Sequence, residues 1–195
     1  MTITVEQIKE LRSLTGAGVV DVKKALAETG GDIQKAVAWL REKGKASAAK
    51  KGSRKTSEGV IGTYVHSNSK LAVLVALACE TDFVARTDKF QELARAIALH
   101  IAAADPLVIK PEEVPDAEVE NEKAIALKQF AGQKKPPEIM AKIVEGKLKK
   151  YREERALLTQ PFVKNPDMNV GDLIKESIAE LGENITVNDF KRLSL

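Results

Sequence analysis

The chain has 195 residues, 44 % of them apolar, 30 % charged and only 4 % aromatic, with a net charge of +3. This balance predicts a helix-rich globular protein and excludes a chain-wide polycation built for nucleic acid; no apolar run approaches the roughly 20 residues that span a bilayer. The start, MTITVEQIKELRSL, is charged and amphipathic rather than a signal peptide, which predicts a cytoplasmic location, and the lone Cys79 with two histidines permits neither an intrachain disulfide nor a Cys/His zinc site.

Residues 1–44 predict three short helices. In the first, Val5, Ile8, Leu11 and Leu14 share a face, and Thr4 and Gln7 are placed as a capping box. Gly16-Ala17-Gly18 breaks it. The second turns Val22, Leu26 and Val19 inward and stops at Gly30-Gly31. Asp32 caps the third, which turns Ile33, Val37 and Leu40 inward with Trp39 beside them. Helices this short must pack on one another to persist. Residues 45–58 form a basic linker in which Lys45, Lys50, Lys51, Arg54 and Lys55 follow Arg41 and Lys43. It reads either as a solvated connector, helical at its start, or as a contact for an acidic surface or RNA; it offers no aromatic platform for base stacking.

Residues 59–79 predict a β-hairpin. Val60, Gly62, Tyr64 and His66 alternate with Ile61, Thr63 and Val65, and Asn68 suits a left-handed turn position between Ser67 and Lys70. Leu71–Cys79 is almost continuously apolar, which predicts a central strand covered on both faces. The chain then turns polar at Glu80-Thr81-Asp82 and places Phe83, one of few aromatics, directly after. Phe83 either folds back into the core or stands at the tip of a rigid loop made for a partner. Thr87 or Asp88 caps a helix that turns Phe90, Leu93, Ile97 and Ile101 inward and ends before Asp105-Pro106.

Residues 107–118, with Pro111 and Pro115, predict an extended connector. Residues 118–131 and 137–150 predict two helices separated by Gly132 and Pro136-Pro137, marked by Ile125 and Phe130 and by Ile139, Ile143 and Leu148. A last helix over 171–181 turns Leu173, Ile174, Ile178 and Leu181 inward and ends at Gly182. Residues 184–193 alternate as a strand that shifts phase near Asp189-Phe190, as a bulge does, and joins the hairpin in a three-stranded antiparallel sheet. The fold class is therefore α+β, a three-helix module followed by an antiparallel sheet packed with helices.

LRSLTGAGVVDVKKAL at 11–26 and GGDIQKAVAWLREKG at 30–44 resemble the ubiquitin-associated-like N-terminal module of bacterial elongation factor Ts. Glu80-Thr81-Asp82-Phe83-Val84-Ala85-Arg86 is similar to that family's signature, again between a strand and a helix. PPEIMAKIVEGKLKKY at 136–151 and LLTQPFVKN at 157–165 resemble further segments, so the likeness covers nearly the whole chain. It implies a module at 1–44, the linker at 45–58 and a core domain at 59–195. This chain resembles the short form, with one core instead of two related halves and an inserted hairpin. It departs from many members in carrying Val22 where they have Cys, and Lys191 lies where some short members have an intersubunit-bridging Cys, so any homodimer is expected to be non-covalent.

The resemblance implies a function: binding the GTPase elongation factor Tu and speeding GDP release. Thr81, Asp82, Phe83 and Val84 are implied to disturb the partner's magnesium and phosphate site, with secondary contacts from Arg12, Val19, Val20, Lys23, Lys51, Tyr64 and His66. No cofactor, metal, membrane or specific nucleic acid is expected. Two other classes remain open from the residues alone: an RNA- or ribosome-binding protein using Arg41–Lys55, and an enzyme using Cys79 with His66 across the hairpin. His100, inside a helical stripe, reads as a packed residue and not as a base.

Overall fold

The computed structural model describes residues 3–130 and 136–195. In chain order the elements are α1 (Val5–Thr15), α2 (Val19–Glu28), α3 (Ile33–Lys51), β1 (Glu58–Val65), β2 (Leu71–Cys79), α4 (Asp82–Ala85), α5 (Asp88–Ala104), α6 (Asp116–Phe130), α7 (Pro137–Arg155), β3 (Pro161–Phe162), β4 (Asn165–Asn169), α8 (Val170–Leu181) and β5 (Thr186–Ser194). The Gly132 break predicted between two helices lies outside the described residues. Three strands form a sheet in the order β1-β2-β5, and β3 pairs antiparallel with β4. Antiparallel pairing shows where the start of β2 meets the end of β5, with Leu195 N donating to Lys70 O at 3.0 Å. The class is α+β, as expected.

The chain groups into two units, and the three sheet strands run through both. The first comprises Met1–Gly62, Ala76–Ala94 and Asp172–Asn188. In it, α1 begins on the Thr4 capping box and ends at Gly16, whose φ of 66° is the left-handed reversal a glycine allows. The three-helix core gathers Leu11, Val22, Ala25, Leu26 and Ala36, flanked by Ile8, Ile33, Val37, Trp39 and Leu40. Val5 and Leu14, expected on the buried face, are exposed, as is Val19. The reason is the core's size: Ala25 and Ala36 let the helices close tightly around one central leucine pair, which leaves the ends of α1 uncovered.

Helix α3 continues through Gly44 to Lys51, so the first half of the basic segment is helical. Its charges are largely engaged within the unit. Lys43 pairs with Asp21, Arg41 with Glu176 at 3.3 Å, Lys45 with Asp172 at 3.1 Å and Arg54 with Glu80 at 3.4 Å. Helix α5 lies close on β1 at Gly62, where an added Cβ would be 2.7 Å from Ala94 O. Thr87 caps α5, accepting from Phe90 N at 3.3 Å.

The second unit comprises Thr63–Val75, Arg95–Gly171 and Asp189–Leu195. The hairpin turn follows a different route from the one predicted. Ser69, not Asn68, takes the positive φ of 58°, while the Asn68 side chain accepts from Lys70 N at 3.0 Å. An Asx turn thus supplies the reversal that a left-handed Asn would have given. Helix α5 buries His100 beside Ile97 and Ile101. Its Nδ1 accepts from Val163 N at 3.2 Å, and its Nε2 lies 3.0 Å from Gln160 Oε1. Gln160 in turn donates to Glu154 O at 2.8 Å. Among the described residues of the α6–α7 pair Val119, Ala126 and Val144 are buried, while Ile125 and Ile139 face solvent.

Strand β2 is covered on both sides only toward its end, where Ala78 is buried along with its neighbours Leu77 and Cys79. Val73, Val75, Leu77 and Cys79 are buried, but Leu74 is 51 % exposed. Val65 and Leu193 are exposed as well, so the face that carries Leu74 is open around these three residues. From Ile185, just before β5, the inward positions run through Val187 and then shift to Phe190 and Arg192, the phase change that the alternation predicts.

Candidate functional site: a clamped turn carrying Phe83

The residues after β2 form one helical turn, α4, in place of an irregular loop. Thr81 is its N-cap, in extended conformation, and its Oγ1 accepts from Val84 N at 3.4 Å. Ala85 is buried and roots the turn. Thr87 then donates to Val84 O at 2.8 Å and hands the chain to α5. Short caps on both sides fix the backbone over a span where one turn of helix would not hold by itself.

Within this frame Phe83 points outward and is 80 % exposed. The alternative that it folds into the core is therefore excluded. Asp82 pairs with Arg86 one turn on, Oδ2 to Nη2 at 2.9 Å, and Val84 is half-buried. The four signature positions thus divide their work. Thr81 caps, Asp82 presents a carboxylate tied to Arg86, Phe83 projects, and Val84 packs beside the buried Ala85.

The turn is braced from the far end of the chain. Glu183, directly after the Gly182 that ends α8 with φ 82°, lays its carboxylate on the turn. Its Oε2 accepts from Glu80 N at 3.1 Å and Thr81 N at 3.0 Å, and its Oε1 accepts from Thr81 Oγ1 at 2.6 Å. The brace is reciprocal: Glu80 Oε1 accepts from Asn184 N at 2.6 Å. Asn184 is buried and donates through Nδ2 to Arg54 O at 2.8 Å. The Asn184 N–H, with Arg54 and Lys51 nearby, holds the Glu80 carboxyl below its usual range. Lys51, half-exposed, contributes its nearby charge to Glu80. Glu183, Asn184 and Arg54 were missed from sequence. Their pairing spans more than a hundred positions, and a Glu after a helix-ending Gly reads as ordinary surface; the only local signal was Gly182 itself.

Cys79 is buried next to the turn, its thiol donating to Thr81 O at 3.2 Å. Burial, and then the Glu183 charge, push the thiol pKa up, the opposite of what a nucleophile needs. His66 lies just past β1 and donates its backbone N–H to Leu71 O, while Cys79 is the last residue of β2.

The secondary residues fall into two groups. Arg12, Val19, Val20 and Lys23 lie around the α1–α2 reversal; all four are exposed, and Val20 is 79 % exposed. Tyr64 and His66 form the other group, with Tyr64 Oη 2.9 Å from His66 Nδ1.

Fold and site define the class: an α+β protein with a three-helix N-terminal module, whose rigid feature is an aromatic on a braced, outward-facing turn. A family model described as elongation factor TS matches residues 3–195. Elongation factor Ts of Nitratidesulfovibrio vulgaris is 50 % identical over 195 residues, covering all of this chain and 98 % of the relative. Elongation factor Ts of Rubrobacter xylanophilus is 51 % identical over the full length of both chains, and that of Herpetosiphon aurantiacus 51 % identical over 98 % of its own length. The chain belongs to the elongation factor Ts family, and so to the elongation factors of translation.

Proposed function

We propose that the chain is a guanine-nucleotide exchange factor for elongation factor Tu and works without covalent chemistry of its own. Phe83 enters between helices of the GTPase domain while Asp82 meets polar groups beside it. The helix that orders magnesium and its waters is displaced, the phosphate loop loosens, and GDP leaves so that GTP can bind. The observation that carries this reading is a large apolar ring held in water on a backbone clamped from both sides. Such a ring is preorganised for insertion, so little ordering entropy is lost on docking.

Magnitudes require more than the ring. Burying a Phe contributes roughly 1.5–3 kcal/mol. Swinging a two-state equilibrium from about 1:99 to 99:1 takes about 5.5 kcal/mol of differential affinity. The remainder is assigned to the exposed reversal of the N-terminal module, with Arg12, Val19, Val20 and Lys23, and to the Tyr64–His66 pair. Reciprocity then requires GDP to weaken this chain's hold on the partner by the same factor. The RNA-binding reading loses ground because Arg41, Lys43, Lys45 and Arg54 are engaged in ion pairs within the protein. The setting is the cytoplasm, where translation proceeds. The domain scheme is a module at 1–44, a basic segment at 45–58 and a core at 59–195.

The test is release of fluorescent GDP from elongation factor Tu in a stopped-flow instrument. The wild-type chain accelerates release. Phe83→Ala, with an unchanged circular dichroism spectrum, slows that acceleration by about tenfold or more, the factor matching the lost burial. Unchanged release by Phe83→Ala contradicts the wedge.

A further inference from the structure

We propose that Glu183 is a positioning residue for exchange, the latch that holds the Phe83 turn in its working geometry. The inference rests on the exchange reading above and deepens it. It starts from a mismatch of roles. The side chains that face outward on the turn do little to fix their own backbone, since Asp82 is tied only to Arg86 and Phe83 stands in solvent. What fixes the turn is a carboxylate from the segment after α8.

Glu183 satisfies three donors of the turn at once. It takes the backbone N–H groups of Glu80 and Thr81 on Oε2 and the Thr81 hydroxyl proton on Oε1. The third bond has a directional consequence. Because the Thr81 hydroxyl gives its proton to Glu183, its lone pairs are left to accept from Val84 N. A relay therefore runs from Val84 N–H through Thr81 to Glu183, and Phe83 lies within the turn the relay closes. Charge-assisted bonds of this kind are about twice as strong as neutral ones. The return bond from Asn184 N to Glu80 Oε1 prevents the two segments from sliding past one another. A preorganised projecting side chain needs such a supporting shell, because a small displacement of the backbone moves the ring tip further than the backbone itself.

The test is a double-mutant cycle with the intact chain and elongation factor Tu. Glu183→Ala is expected to lower the maximal rate of GDP release about tenfold, equivalent to losing one strong hydrogen bond's worth of positioning. In a Phe83→Ala background the same change is expected to have no further effect, because the latch acts through Phe83. Glu183→Gln keeps one acceptor oxygen for the two backbone donors and is expected to stay within about threefold of wild type. Amide hydrogen exchange at Glu80 and Thr81 should speed up in Glu183→Ala while the buried strand positions of β2 stay protected.

A wild-type rate for Glu183→Ala, or an equal loss in both backgrounds, overturns the positioning role. Phe83→Ala releasing GDP at the wild-type rate overturns the exchange reading itself, which separates the two failures. Should Glu183→Ala not fold, Glu183→Asp carries the same cycle, since it keeps the charge but draws the carboxylate back by one methylene from the three donors of the turn.

Discussion

Phe83 spends the free state in water, and since single exposed apolar side chains are common, what sets it apart is the clamped turn beneath it. His100 is the opposite case, a polar ring buried among apolar neighbours. Its Nδ1 accepts from Val163 N–H, so the proton resides on Nε2 and faces Gln160 Oε1. A second proton would set Nδ1–H against Val163 N–H. Burial accordingly pushes the His100 pKa below its ordinary 6.5. The unfolded chain then binds the proton first. His100's contribution to stability is complete above the unfolded value near 6.5 and is lost as pH falls from there toward the folded value. Urea midpoints should fall between about pH 7.5 and 5.5, and the fall should be smaller in His100→Gln; equal falls in both would refute the linkage. The signature Thr81–Val84 and the buried nature of His100 were legible in the sequence, the first through family resemblance and the second through helical spacing. Glu183 was not, because a carboxylate reads as surface whether it meets water or three donors.

At the scale of elements, the N-terminal reversal and the α5–β1 contact make separate predictions. Val20 is exposed beside the Gly16–Gly18 reversal, so Val20→Asp should leave the unfolding midpoint unchanged. It should raise the concentration of chain giving half-maximal GDP release about tenfold, as expected when a charge replaces an apolar side chain that an interface would bury. An unchanged half-saturating concentration would remove the module from the interface. Gly62→Ala acts on the fold instead. Its Cβ would lie 2.7 Å from Ala94 O and 2.9 Å from Ala94 Cβ, so helix and strand must part, at a cost of about 1–3 kcal/mol. Denaturant titration measures this directly, and an unaltered midpoint would show that the packing there yields freely. Helix and strand order were readable from apolar spacing, but which apolar residues are buried was less so. Ala25, Ala36 and Ala126 are fully buried while Leu14, Ile125 and Ile139 are exposed. Close helix packing selects small residues, whose pattern carries no periodic signal. Strands β3 and β4 escaped for a related reason, since two residues at Pro161–Phe162 are too few to alternate.

For the whole molecule, the open sheet face suggests a second copy. Val65, Leu74 and Leu193 expose apolar area on β1, β2 and β5, and Cys79 is buried and unavailable for an intersubunit bond. We propose a non-covalent homodimer through this face or the C-terminal strand. Light scattering at micromolar concentration should give twice 21.2 kDa, and a Leu74→Lys variant should give the single mass; a wild-type chain at the single mass would end the proposal. The strand order was legible from alternation, whereas the open face was not, because a continuous apolar run such as Leu71–Cys79 looks the same whether one side or two are covered. The Phe83 turn acts on release most directly, and the module and hairpin supply the rest of the binding, including the share of differential affinity the ring lacks. The most direct measurement titrates wild type and Phe83→Ala against elongation factor Tu carrying fluorescent GDP, reading maximal rate and half-saturating concentration separately. For Phe83→Ala the expected result is a maximal rate lowered about tenfold or more with half-saturation changed by less than about threefold. An unchanged maximal rate, with the deficit confined to half-saturation, would contradict it.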